Sequence, residues 1–185
     1  MNIFHLDNDP KIAAEMMCDK HVVKMLCEYG QLMSTAHRVL DGTPEKRPSV
    51  SGKTQVTHYV MKGADAMERL LYKSCHVNHP SNIWVRECSE NYRWLYKHFK
   101  ALHVEYQKRY SKTHATYDRL SSLLWLSPKN IKVTKNVTEF AQCMPDYCKQ
   151  EDPVDAYRFY YIKEKVNFAT WKNTETPQWF KEGVS

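Results

Sequence analysis

The feature that most constrains the fold is an apolar stripe of helical period near the start of the chain. Its members recur at steps of four and three residues: Val22, Leu26, Tyr29, Met33, Ala36 and Leu40. This spacing places side chains on one face of an α-helix. Asp9 can cap the helix, Pro10 fits its first turn and Gly42 provides a stop. The sequence therefore predicts a long amphipathic helix, or two that share an axis with a break near Cys18.

The rest of the chain shows the same preference for helices. We predict a mobile basic loop over 41–53 and helices over 57–76 and 81–110. Shorter helices are predicted over 114–125, 137–143 and 153–168, followed by an irregular, aromatic C-terminal tail. There is no internal repeat. A chain of 185 residues with 42% hydrophobic residues and only 5 glycines fits one domain. We expect a single compact all-α domain over 1–185.

Charge and composition narrow the partners and the compartment. The net charge of +6, with 12 tyrosines and 5 tryptophans, suits a polyanionic partner with stacking bases but does not establish one. No apolar run approaches 18 residues and the first residues do not resemble a secretory signal, so we expect no membrane span. The 6 cysteines form no CxxC pair. They indicate a reduced, intracellular setting.

One histidine and one glutamate stand out on the long helix. His21 and Glu28 are seven residues apart, hence two turns apart and nearly aligned, at the border of the apolar stripe. A carboxylate at such a border can be partly desolvated and still reach a cleft, which is typical of catalytic acids. Ordinary hydrogen bonding at a helix edge explains the same pattern, and periodicity alone favours that interpretation.

Other chemistries have weaker support in the residues. Two stretches hold possible metal ligands, "HLDND" at 5–9 and "CHVNH" at 75–79, and Cys143 and Cys148 add two more. None has the paired spacing of a zinc site. There is no glycine-rich phosphate loop and no signature of a serine or cysteine nucleophile. We therefore expect no metal and no cofactor.

An amine is the remaining nucleophile. An α-amino group has an ordinary pKa of about 7.7–8, against about 10.4 for lysine, so it is more often unprotonated at neutral pH. Met1 is followed by the sizeable Asn2, so we expect the initiator methionine to be retained. The sequence does not show whether this amine lies near Glu28.

Three segments resemble the phage pyrimidine-dimer DNA glycosylases of the endonuclease V type. The first is "DKHVVKMLCEYGQLMSTAHRVLDG", in which His precedes Glu by seven residues. The second is the aromatic and basic "HPSNIWVRECSENYRWLYKHFKALHVEYQKR", and the third is the ending "TPQWFK". Together they cover roughly half the chain. Their order and the His-to-Glu spacing carry the resemblance.

The resemblance implies a mechanism. In that family the N-terminal amine attacks C1′ of the damaged nucleotide, expels the base and forms an imine that permits strand cleavage. Met1 would then supply the amine, Glu28 the carboxylate, and His21 would position the site. An imine mechanism requires both reacting groups on one sugar, so a gap beyond about 8 Å between the Met1 nitrogen and the Glu28 carboxylate would argue against it.

The resemblance and the basic composition together imply a binding surface for double-stranded DNA. Trp179 and Lys181 would belong to a DNA-contacting tail. Other candidate DNA contacts are Lys24, Gln31, Arg38, Arg86, Arg93, Lys97 and Arg158. A solvated helix face explains each basic position equally well. The expected protein is a monomer in the cytoplasm of a phage-infected or bacterial cell, or in the nucleus if it comes from a eukaryotic virus.

The chain also departs from the family pattern. The family nucleophile is a small residue exposed by methionine removal, whereas this chain begins with Met1. The family places arginines just before and three residues after the glutamate, where this chain has Cys27 and Gln31. A different lesion or a modified base therefore remains open. So do a non-catalytic nucleic-acid-binding protein on the same fold and a metal-dependent nuclease.

Overall fold

Two long helices form the centre of the fold. The computed structural model describes residues 1–185. Its helices are α1 (Pro10–Met16), α2 (Asp19–Asp41), α3 (Asp65–Leu70), α4 (Pro80–Glu87), α5 (Ser89–Tyr110), α6 (Ala115–Leu124), α7 (Pro153–Glu164) and α8 (Gln178–Gly183), with a 3-10 turn at Asp146–Cys148. The strands β1 (Thr43–Pro48) and β2 (Gln55–Val60) pair antiparallel. Helix α5 packs against α1, α2, α4 and α6, and α2 packs against α4, α5 and α6. None of the helices has the length and apolarity to cross a membrane.

Five of the six residues of the apolar stripe are buried in the core as predicted, and Leu40 is partly buried against it. Val22, Leu26, Tyr29, Met33 and Ala36 are fully buried. They belong to one cluster of 30 buried hydrophobic residues that includes side chains from both ends of the chain. The stripe faces α5, so burial of this apolar surface accounts for the length of α2.

The predicted break near Cys18 separates α1 from α2. Met17 and Cys18 have extended backbones, with ψ angles of 138° and 159°. The guanidinium of Arg109, which is fully buried, donates to the carbonyls of Glu15 and Met17 and to the carboxylates of Asp19 and Glu105. The carbonyls at the C-terminal end of α1 have no helical N–H partners, and the Arg109 guanidinium donates hydrogen bonds to them instead.

The structure corrects the prediction for residues 41–60. The expected basic loop and the start of the helix predicted over 57–76 are instead a β-hairpin, whose register runs from Thr43↔Val60 to Pro48↔Gln55. The β-branched and aromatic run in β2 favours a strand, and the prolines of β1 exclude a helix. Helix is confined to α3 within that predicted range. The fold is thus mostly helical with one small sheet, rather than purely α.

Three other boundaries differ from the predictions. The helix predicted over 81–110 is interrupted at Cys88, which has an extended backbone. The segment 137–143 is not helical, because Thr138 exchanges hydrogen bonds with the Asn91 side chain of α5 (2.7 and 2.9 Å). The C-terminal tail, predicted to be irregular, contains the short helix α8.

Candidate active site

The first residues of the chain are fixed across the core, and this positions the N-terminal amine. Ile3, Phe4 and Leu6 are buried. The Asn2 side chain donates to the carbonyl of Cys143 (2.8 Å) and accepts from the hydroxyl of Tyr157 (2.9 Å). The segment is therefore tied both to the core and to the C-terminal part of the chain, and Met1 has a defined place.

The N-terminal amine lies beside Glu28. The Met1 nitrogen is 3.7 Å from Oε2 of Glu28, well inside the 8 Å limit that the imine mechanism sets. The backbone N–H of Asn2 donates to the same oxygen at 3.1 Å. The other oxygen, Oε1, is 3.1 Å from the Nζ of Lys24, one turn earlier on α2. Each carboxylate oxygen thus has its own partner, and the Glu28 side chain is 13% exposed.

A cavity of about 230 Å³ opens on this pair. It is lined by Met1, Asn2, Phe4, His21, Lys24, Met25, Glu28, Cys143, Tyr160 and Lys165. Two lysines therefore flank the amine and the carboxylate, which suits an anionic ligand. A larger cavity of about 560 Å³ lies elsewhere, and its lining includes Glu139, Glu151 and Asp152. Its acidic lining disfavours a nucleic acid.

His21 contributes an uncharged ring to the cavity. It is buried, stacks on Phe4 with ring centroids 4.3 Å apart, and its Nδ1 hydrogen-bonds the hydroxyl of Tyr161. Burial, reinforced by the nearby Lys165, Lys24 and Lys20, lowers the pKa of His21 to about 3. The imidazole is therefore neutral at physiological pH and holds the shape of the site without adding charge.

The sequence comparison agrees with this geometry. A family model described as pyrimidine dimer DNA glycosylase matches residues 1–118. The chain belongs to this family. It is thus a member of a DNA-repair glycosylase family, whose substrate is DNA. No curated protein and no solved structure matches the chain.

The residues that line the cavity come from two parts of the chain, one inside and one outside the range that the family model matches. Met1, His21, Lys24 and Glu28 lie within the matched residues. Cys143, Tyr160 and Lys165 lie beyond them and close the other side. The cavity is therefore completed by a C-terminal segment that the family model does not cover.

Sequence reasoning missed these C-terminal residues and Asn2. Tyr160 lies on α7, within the helix predicted over 153–168, and Lys165 directly follows α7. The Nζ of Lys165 donates to the Tyr160 hydroxyl at 3.0 Å and lies 4.2 Å from its ring centroid. No spacing in the sequence connects these positions to Glu28, because the contact is made by tertiary packing alone.

The predicted DNA contacts differ in exposure. Lys24, Arg93, Lys97 and Lys181 are exposed, whereas Gln31, Arg86, Arg158 and Trp179 are partly buried. Arg93 pairs with Glu90 at 2.6 Å. Arg158 is held by the carbonyl of Leu6 (2.9 Å) and by Asp7 (3.3 Å), and lies 5.8 Å from the Trp179 ring centroid. Lys24 is the one candidate that also lines the cavity.

Arg38 requires a correction. We predicted it as a DNA contact, but it is only 4% exposed. All five of its N–H groups are used: they bond the carbonyls of Tyr59, Glu68, Leu71 and Tyr72 and the carboxylate of Glu68. No donor remains for a phosphate. Arg38 therefore fastens the hairpin and α3 to α2 and does not face DNA.

In each of the two stretches with possible metal ligands, one histidine has a structural role. His5 is buried and stacks on Phe140 at 3.8 Å, and His79 caps α4 by accepting from the backbone N–H of Ser81. No group of three or more His, Cys, Asp or Glu side chains is arranged to hold a metal ion.

Proposed function

We propose that this chain excises a damaged or modified pyrimidine from duplex DNA and then cleaves the abasic site, with the Met1 amine as nucleophile. The observation that carries the proposal is the 3.7 Å separation between the Met1 nitrogen and Oε2 of Glu28 at the wall of one cavity. An imine-forming glycosylase needs an amine and a carboxylate within reach of the same sugar.

The first stage is base release. The lone pair of the unprotonated amine attacks C1′, and the bond from C1′ to the base nitrogen breaks. The base leaves with the bonding electrons and is protonated as it departs. The amine then loses one proton to Glu28, and the nitrogen lone pair forms the C1′=N bond as the C1′–O4′ bond breaks. Glu28 passes that proton to O4′, which leaves a protonated imine between the Met1 nitrogen and C1′ and an ionised Glu28. Glu28 stabilises the positive charge that develops at C1′ and accepts a proton from the amine.

The second stage is strand cleavage. Removal of a C2′ proton sends its electron pair toward the imine, and the bond between C3′ and its phosphate oxygen breaks. The phosphate bonded to C3′ leaves as the anion on the 5′ end of the downstream strand, and water hydrolyses the imine to an unsaturated aldehyde on the upstream strand and the free amine. Glu28 is the cavity carboxylate, so it is the group we assign to the C2′ proton.

The surroundings of the pair support this assignment. Extruding a nucleotide from the duplex costs a few kcal/mol. Lys24 and Lys165 flank the cavity and can offset part of that cost by holding the phosphates on either side of the extruded sugar. Because His21 is neutral, Lys24 and Lys165 supply the positive charge beside the cavity, and the His21 ring forms a flat wall with Phe4.

The test is borohydride reduction during reaction with a duplex that contains an abasic site or a pyrimidine dimer. We expect a covalent protein–DNA adduct, with the DNA remnant on the Met1 nitrogen when the adduct is digested and analysed by mass spectrometry. Acetylation of the N-terminus should abolish the adduct.

Two results would contradict the proposal. An adduct located on Lys24 or Lys165 would make a lysine the nucleophile. If no adduct forms while the duplex still binds, the chain is a DNA-binding protein without imine chemistry.

A further inference from the structure

The hairpin of β1 and β2 projects from the fold as a basic arm. We define the arm as residues 43–62. No residue from 43 to 60 is buried, and Val50 at the tip is fully exposed. The arm carries Lys46, Arg47, Lys53 and Lys62 against the single acid Glu45, so it contributes +3 of the net charge of +6. About one residue in nine of the chain thus holds half of its excess positive charge.

The base of the arm is rigid. The Nη1 of Arg38 donates to the carbonyl of Tyr59 and to Oε2 of Glu68, at 2.8 and 2.7 Å. The backbone N–H of Met61 donates to the same Glu68 oxygen at 2.8 Å. Because Arg38 is buried on α2, the arm has a fixed root on the helix that also carries Glu28.

The free charges of the arm lie toward its outer end. Glu45 is already paired with Arg47 (2.9 Å) and Lys62 (3.1 Å). Lys46 and Lys53 form no ion pair and are exposed. These two ammonium groups are therefore available to phosphate oxygens.

The β1 edge of the arm disfavours a protein strand as its partner. Pro44 and Pro48 remove two N–H donors from β1, and such prolines block strand addition along an edge. A two-stranded β-ribbon does fit the major groove of duplex DNA.

We propose that the arm lies in a groove of the duplex beside the damaged nucleotide, with Lys46 and Lys53 on phosphates. This inference rests on the proposed function, in which duplex DNA covers the cavity of Met1 and Glu28. In this proposal the duplex runs along α2, and from Glu28 to the end of α2 the helix rises about 20 Å, which corresponds to about six base pairs. The arm would therefore contact one flank of the lesion and leave the lesion itself to the cavity.

The experiment compares the double variant K46A/K53A with the native chain by fluorescence anisotropy. The probe is a duplex with a tetrahydrofuran abasic analogue, which cannot form an imine, and with about ten base pairs on each side of it. We expect the slope of log Kd against log salt concentration to fall by about 2, close to one unit for each lost phosphate contact. Circular dichroism should show an unchanged fold, because both side chains are exposed.

The matched control is K132A/K135A, which removes two exposed lysines without ion pairs from the loop after α6. We expect it to leave the salt slope unchanged. Equal effects of the two double variants would mean that only net charge matters, and an unchanged slope for K46A/K53A would remove the arm from the interface. Either result overturns the proposal.

A shortened duplex tests the position of the contact. When the duplex ends about three base pairs from the analogue on both sides, the native chain and K46A/K53A should bind equally, because the arm reaches about six base pairs away. A persisting difference would contradict the flank assignment. Since these measurements need no base release, they are independent of borohydride trapping. A trapped Met1 adduct with an unchanged slope would refute the arm alone.

Discussion

Two carboxylates on the two central helices are similarly buried and similarly paired with cations, but only one lies beside the N-terminal amine, which has unused hydrogen-bonding groups. Glu28 of α2 and Glu105 of α5 are 13% and 6% exposed, and each lies beside cations. Glu105 binds Arg109, whose five N–H groups are all taken by Glu105, Asp19 and the carbonyls of Glu15 and Met17. No N–H group of Arg109 is left over, and we call this cluster closed in that sense, although Glu105 also lines a cavity of about 280 Å³.

The cluster around Glu28 is open. Its cations are the Met1 amine, which makes no hydrogen bond at its 3.7 Å separation, and the Nζ of Lys24, whose side chain is 68% exposed. A cavity lies in front of them. The comparison shows that burial and ion pairing alone do not mark a site. What distinguishes the Glu28 cluster is a carboxylate and an amine with bonding capacity left over toward a cavity.

The largest expected effect is on catalysis at the open cluster. Glu28→Gln keeps an acceptor for the Asn2 N–H but loses the negative charge and the proton acceptor. We expect single-turnover base release to fall by about 10³-fold, within the range for a general acid–base group. DNA affinity should stay within a few fold. Glu15→Gln, the same change at an exposed position of α1, should have full activity. Full activity of Glu28→Gln would end the assignment.

Substitutions in the closed cluster should lower the stability of the fold. Arg109→Met leaves Asp19 and Glu105 without their shared cation and the end of α1 without its donors. We expect a loss of about 3–5 kcal/mol in the free energy of unfolding, measured by urea titration. Lys108→Met, at the half-exposed neighbouring position, should cost under about 0.5 kcal/mol. Equal losses for the two variants would show that the cluster has no special structural role.

The lowered pKa of His21 predicts that the stability of the fold decreases as the pH falls. Its folded-state pKa of about 3 lies below the ordinary value of 6.5, so the unfolded chain binds more protons between those limits. The stability contributed by neutral His21 is complete above pH 6.5 and is lost as the pH falls toward 3. At about pH 5 the loss is about 2 kcal/mol.

The variant His21→Gln isolates this contribution. Its free energy of unfolding should fall by about 2 kcal/mol less than that of the native chain between about pH 7.5 and pH 5. His76→Asn, at an exposed position with a φ of 46° that asparagine tolerates, should behave like the native chain. A native-like pH profile for His21→Gln would mean that the imidazole is not buried as a neutral group.

Much of the helical framework follows from local sequence. The stripe from Val22 to Leu40, the break near Cys18 and the cap at Asp9 are local patterns, and the structure has all three. The hairpin was missed because its strands are short, and the basic residues between its prolines suggested a loop. That error led to a second one. Arg38 seemed exposed only because the hairpin that covers it had not been predicted.

The candidate site, like the fold, is only partly predictable from local sequence. His21, Lys24 and Glu28 share one helix face, so their proximity follows from spacing. The approach of Met1 depends on Ile3, Phe4 and Leu6 entering the core, and no periodicity encodes that path. Cys143, Tyr160 and Lys165 reach the cavity from more than 100 residues away along the chain. Packing of α7, and of the loop that contains Cys143, against the N-terminal segment brings them there, so sequence spacing could not reveal them.

The smallest expected effects are those of Lys24, and they separate its contribution to stability from its contribution to DNA binding. Lys24 pairs with Glu28 across one helical turn, and an exposed pair of this kind stabilises a fold by about 0.3–0.5 kcal/mol. Lys24→Ala should therefore leave the urea midpoint nearly unchanged. If Lys24 contacts a phosphate beside the extruded sugar, the salt slope of DNA binding should fall by about 0.9. A fall of similar size for Lys20→Ala, also exposed and one turn earlier on α2, would show that the lysines act as a diffuse charge. An effect confined to Lys24→Ala would place the phosphate at the cavity, because Lys24 lines it and Lys20 does not.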